Sequence, residues 1–329
     1  MTRIVKPARA TTCGVSKVNL ALALTLLCMP LLMGGACGKK SANASGDPGA
    51  AEALERAGSG SAPDPVAVDP NAPIDKTPLQ GVDLGQLPAD KQELFYKLLG
   101  SLSSPCGKAH SLRTSFTTDQ SCKRAPFAVR YVLALVGDEA NETQIRDEFE
   151  KKYVKQGTPV KFDLTHEPHI GSDDAPIRLV EFFDYGCPHC EEFLPFMERV
   201  IADEGSKINV YFLHYNLGHF PNSQEAAQAA LAAFAQGKFH EMHQLLFEHR
   251  TEHSLDQLEG YAKQLGLDMT KFHTDYLGAL DHVLQQKAQG EAAGVDSTPT
   301  LFFNDRKYEG PMHPKYIEMW IEEELAVNR

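Results

Sequence analysis

The sequence predicts an α/β unit with a long helical insertion, preceded by a small all-α unit. Apolar residues fall in short strand-like blocks at 160–164, Ile177–Phe183, Ile208–His214 and 300–304, as buried strands do. Between the third and fourth blocks, about 221–292, the chain is rich in Ala and Gln and its apolar residues keep helical spacing. Upstream, Leu94, Phe95, Leu98, Leu99 and Leu102 share one helical face, and no strand-like block precedes residue 157.

The N-terminus carries Arg3, Lys6, Arg9 and Lys17, then an apolar segment from Leu20 to Met33, then Gly34-Gly35-Ala36 before Cys37. This is the layout of an export signal, shorter in its apolar part than the about 20 residues a membrane-spanning helix needs. Residues 1–37 are expected to be a signal peptide. Residues 38–80 contain six prolines among Ala, Gly, Ser and Asp, with no aromatic residue; such a segment cannot bury enough apolar surface to offset its ordering entropy and reads as a tether.

Residues 81–156 read as three helices. The first carries the Leu94 face, the second places Phe127, Tyr131 and Leu135 together, and the third opens at Asn141 with Gln144 three residues on, a capping box, putting Ile145, Phe149 and Tyr153 on one stripe. Cys106 and Cys122 lie between the first two helices. In an exported protein they read as a structural disulfide bracing a thin core, or alternatively as a second redox relay.

From 157 to 329 the strand blocks alternate with helices beginning at Pro188, Ser223, Phe239, Leu255, Met269 (running to Gln289) and beyond the turn at Asn304-Asp305. The pair Cys187-Pro188-His189-Cys190 follows the second strand block. Cys187 is placed just before a helix, where unpaired backbone N–H groups and the positive end of the helix dipole favour a thiolate. Pro188 suits the first helical turn because it lacks an N–H. His189, protonated or donating a hydrogen bond, is expected to favour the same anion. A stabilised thiolate leaves readily, so this pair should give up its disulfide readily. Cys190, one turn into the helix, is the expected resolving thiol.

These residues resemble the DsbA type of the thioredoxin-like thiol-disulfide oxidoreductases, over about 165 residues. The likeness rests on the Cys187–Cys190 pair after a strand, Glu181 six residues earlier, Pro195 five residues after the second cysteine, and Thr298-Pro299 before a strand. It implies a thioredoxin-like fold, a buried acid at Glu181 relaying a proton to or from Cys190, a kink at Pro195, and a cis-proline loop at Thr298-Pro299 that packs on the cysteine pair and binds unfolded substrate as an added strand. Asp184 is expected at the surface. His214 and His219 are expected either to line the substrate groove or to be merely exposed. Gly34-Gly35-Ala36-Cys37 resembles a lipoprotein processing site, with Cys37 as lipid anchor; Gly34 stands where that pattern usually has leucine, which leaves ordinary cleavage and secretion open.

The expected function is disulfide donation to folding exported proteins with cysteine pairs, with a membrane redox partner resetting the site in the cell envelope or periplasm. The alternatives are a disulfide isomerase or a reductant serving cytochrome maturation, the latter drawing on a faint likeness of 106–153 to CcmH-type proteins, and a peptide-binding module with permanently oxidised cysteines. No cofactor is expected. Nor is a metal: His240 and His243 lack the spacing of the zinc protease motif, and Cys187 and Cys190 have no second ligand pair. The net charge of −12 without a Lys/Arg block argues against nucleic acid.

Overall fold

The computed structural model describes residues 73–327, which lie in one compact unit. The expected signal peptide, Cys37 and most of the tether lie outside the described residues. Of the tether's end, Leu79 is buried in the helical core beside Leu84.

Among the described residues four helices come first: α1 (Ala89–Ser101), α2 (Leu112–Thr117), α3 (Ala125–Gly137) and α4 (Glu142–Tyr153). The Asn141–Gln144 capping box is present in both directions. One turn more than expected is α2, whose cap is Ser111, accepting from the Thr114 N–H. Cys106 and Cys122 are joined by a disulfide across this turn, tying the α1–α2 loop to the start of α3.

A five-stranded sheet follows, in the order β1 (His169–Gly171), β3 (Ile208–His214), β2 (Ile177–Phe183), β4 (Thr300–Phe303), β5 (Arg306–Lys307). Only β2 and β3 run parallel, which requires the crossover helix α5 (Pro188–Glu204) between them. The expected strand at 160–164 is not one. Val160, Phe162 and Leu164 pack against the sheet with Phe182 and Phe302; their alternation reports burial on one side rather than ladder pairing. The expected turn at Asn304-Asp305 has positive φ at both residues, 47° and 72°, the backbone of a two-residue hairpin.

The insertion comprises α6 (Ser223–Phe234), α7 (Phe239–Glu248), α8 (Leu255–Gln264), α9 (Met269–Gly278) and α10 (Leu280–Ala292). The single helix expected from Met269 breaks after Gly278. A final helix, α11 (Pro314–Val327), returns to the first region: its Tyr316 joins the core of α1–α4. No helix among the described residues is long and apolar enough to cross a membrane.

Strand alternation positions the site. In β2, Ile177, Leu179 and Phe183 face the core shared with α5 and the insertion, while Val180 and Phe182 face the opposite cluster. Glu181 has the parity of the first set, so it points to the side where α5 lies.

Candidate active site

Cys187 is the N-cap of α5 and Pro188 its first residue, so the sequence places a sulfur where helical N–H groups lack partners. Both thiols are free and buried, 3% exposed at Cys187 and 1% at Cys190. His189, between them, is exposed.

The two thiols are electrostatically opposed. Cys187 is held down to about 5, first by a hydrogen bond from Cys190, with Thr298 and the backbone N–H groups of Cys190 and His189 adding and burial opposing. What His189 brings to the sulfur is thus its backbone N–H, where the imidazole was expected. Cys190 is pushed far above the ordinary thiol range, first by burial, with its hydrogen bond to Cys187 and the charge of Glu181 adding. In the protonated form, Cys187 donates to the Thr298 carbonyl at 3.4 Å. The Thr298–Pro299 bond is cis, and this contact brings the 298–299 loop onto the cysteine pair.

Glu181 is 6% exposed, and its carboxyl is pushed up to about 8 by burial alone. Its carboxyl has no hydrogen bond or ion pair to another described residue, and it acts on both Cys190 and Tyr185 through its charge.

Asp184 is fully buried, where the surface was expected. Its carboxylate accepts from the N–H groups of Gly186 (2.9 Å) and Leu217 (3.0 Å) and from the Ser223 hydroxyl. Immediately after a strand and before a tight turn, an Asp caps its own loop's backbone. His214, expected in a groove or exposed, is buried with its Nε2 3.2 Å from the Ser223 Oγ, and burial holds its imidazole down to about 4. His219 is exposed. His243 packs inside the insertion, 3.0 Å from the Tyr185 hydroxyl, and is held down to about 3 by burial.

Residues 163–323 match the family model described as Thioredoxin. That match spans just under half of the chain, and the fold of this part, with α5 crossing from β2 to β3, is thioredoxin-like. Among solved structures the chain is similar to oxidised BdbD from Bacillus subtilis, at 25% identity over 52% of this chain and 97% of that one, with a TM-score of 0.44. The thiol-disulfide exchange protein alpha-DsbA2 from Wolbachia pipientis is 26% identical over 49% of this chain and 88% of its own, with a TM-score of 0.45. Two curated relatives are named Na(+)/H(+) antiporters. NhaA 1 of Mycobacterium sp. (strain KMS) is 36% identical over 149 residues, 44% of this chain and 24% of its own. NhaA 3 of Salinispora tropica is 36% identical over 157 residues, 46% of this chain and 24% of its own. The chain spans about a quarter of the length of these relatives.

Proposed function

We propose that this thioredoxin-like protein is an exported thiol-disulfide oxidoreductase that donates the Cys187–Cys190 disulfide to folding proteins. The observation that carries the reading is the opposition of the two thiols, Cys187 held down to about 5 and Cys190 pushed up. A sulfur that leaves as a stabilised thiolate makes its disulfide a strong oxidant.

A substrate thiolate attacks Cys187 Sγ, forming a mixed disulfide and breaking the Cys187–Cys190 bond. Cys190 leaves as a buried thiolate and takes the proton of Glu181, whose raised pKa leaves it protonated at neutral pH. The second substrate thiolate then attacks the substrate sulfur of the mixed disulfide, and Cys187 leaves as a thiolate. The substrate loses two electrons and two protons, and the pair gains the two electrons. Cys190 keeps the proton that Glu181 gave it, one substrate proton returns through solvent to Glu181, and the other stays in solvent while Cys187 remains a thiolate. Thr298, at the cis-proline loop, aligns the extended substrate through its backbone.

Export to the envelope, acylation of Cys37 and resetting by a membrane redox partner complete this reading and rest on the sequence of the N-terminus. Antiport, the activity in the names of the two curated relatives, is no part of it.

The test is the reduction potential of the pair in glutathione redox buffers, with trapping by substrate. An oxidant should lie above about −180 mV, and a value near about −270 mV would mark a reductant instead. Cys190→Ala should accumulate mixed disulfides and Cys187→Ala none; the reverse pattern would overturn the assignment of the nucleophile.

A further inference from the structure

The peptide that joins Gly186 to Cys187 is fixed at both ends. The Cys187 N–H donates to the Asp184 carbonyl at 2.9 Å, and the Gly186 carbonyl accepts from Arg250 Nη1 at 3.1 Å. The Gly186 N–H is held as well, by the Asp184 carboxylate. Phe220 closes the remaining side: a Cβ on residue 186 would lie 2.2 Å from the Phe220 Cβ, so only glycine fits. Arg250, which follows α7 in the insertion, also reaches forward. Its Nε donates to Glu191 Oε2 at 2.6 Å, and the Glu191 N–H donates to the Cys187 carbonyl at 3.2 Å. One guanidinium thus spans the residue before the nucleophile and a first-turn residue after it.

We infer that Arg250 is a positioning residue for Cys187, holding the Gly186–Cys187 peptide against the helix end and offsetting the carboxylate of Glu191 beside it. The inference rests on the redox reading above. Stability is a poor explanation for the contact, because Arg250 and Glu191 are 28% and 43% exposed in their side chains and pairs of this kind contribute little. Geometry is a better one. A planar guanidinium can donate from Nε and Nη1 to two fixed acceptors at once, which a single ammonium on a flexible stem cannot reproduce. Freed from Arg250, the Gly186 carbonyl is no longer anchored and Glu191 becomes an uncompensated anion near the sulfur. Both changes disfavour the Cys187 thiolate, and therefore the dithiol, relative to the disulfide.

The test compares the full-length wild type with Arg250→Ala, Arg250→Lys and Arg199→Ala. Arg199 forms an exposed ion pair with Glu318 from farther along α5 and serves as the control. Two quantities are read: the pH midpoint of Cys187 alkylation and the equilibrium with glutathione. In Arg250→Ala the midpoint should rise by about one pH unit and the equilibrium should move about tenfold toward the protein disulfide. Arg250→Lys should fall between the two, and Arg199→Ala should match wild type. An Arg250→Ala variant that melts earlier yet keeps the wild-type midpoint and equilibrium would reduce Arg250 to a structural contact and overturn the inference. A wild type that never exchanges with glutathione would remove the redox reading separately, while the alkylation midpoint would still decide the role of Arg250.

Discussion

Glu181 and Glu323 are both taken out of water, at 6% and 1% exposure, and the protein surrounds them in opposite ways. Glu323, on α11, accepts from Arg124 Nη1 at 2.8 Å, Lys152 Nζ at 3.0 Å and the Tyr153 hydroxyl at 2.9 Å, and Lys152 in turn lies 3.3 Å from the centre of the Trp320 ring. This network joins α3 and α4 to the last helix. Glu181 has no such donors among the described residues, and burial alone pushes its carboxyl up to about 8. A buried carboxylate surrounded by donors is a fixed anion that holds elements together. A buried carboxyl without them is a proton store near neutral pH, and it lies where its charge reaches Cys190.

The largest effect should come from breaking the paired site. Glu323→Ala leaves Lys152 and Arg124 without their shared anion and should cost about 3–5 kcal/mol, seen in thermal or urea unfolding, with the Cys187 alkylation midpoint unchanged. A loss under about 1 kcal/mol would put this pair in the class of exposed ion pairs and erase the contrast. Next, replacing Cys106 and Cys122 together by alanine should cost about 3 kcal/mol by loop entropy, again without touching exchange at Cys187. If turnover with a protein substrate collapsed while stability held, the disulfide would belong to the electron path.

Glu181→Gln should act with the opposite sign. The folded pKa of Glu181, about 8, lies above its ordinary value of 4.5, so the folded state holds a proton that the unfolded state has released across that window. Stability therefore falls as pH rises from about 4.5 to 8. The Gln variant lacks that slope and should be the more stable protein at pH 8 and no more stable at pH 4. Equal stabilities at pH 8 would show that Glu181 is solvated or paired in solution. The smallest effect concerns His189. Because its contribution to Cys187 comes through the backbone, His189→Ala should move the thiol midpoint less than Cys190→Ala, which removes the largest influence; midpoints read by alkylation in the reverse order would return the imidazole to the leading role.

Much of the site was legible because it is local. Cys187 and Pro188 are set by a helix start and a short motif, and Asn141–Gln144 announced its helix directly, while Glu181 and Thr298-Pro299 were read from the resemblance to the DsbA type. What escaped depends on contacts across the insertion. Asp184 reads as a surface acid until Ser223 and Leu217 are seen to cover it, and nothing in the sequence near Arg250 says that its guanidinium returns to Gly186, 64 residues earlier. The mistaken strand at 160–164 has a related cause. Alternation records which residues face the core, and Phe162, half-buried, packs against Phe182 and Phe302 without joining the ladder.

The central claim is that Glu181 is a protonated reservoir beneath the cysteine pair. Infrared spectroscopy of the reduced protein reads it directly, by following the protonated carboxyl stretch with pH in the wild type and in Glu181→Gln. A band present at pH 7, lost with a midpoint near 8, and missing in the variant is the predicted result. A Glu181 band already lost below pH 5 would mean an ionised carboxylate at neutral pH, and the proton relay to Cys190 would be contradicted.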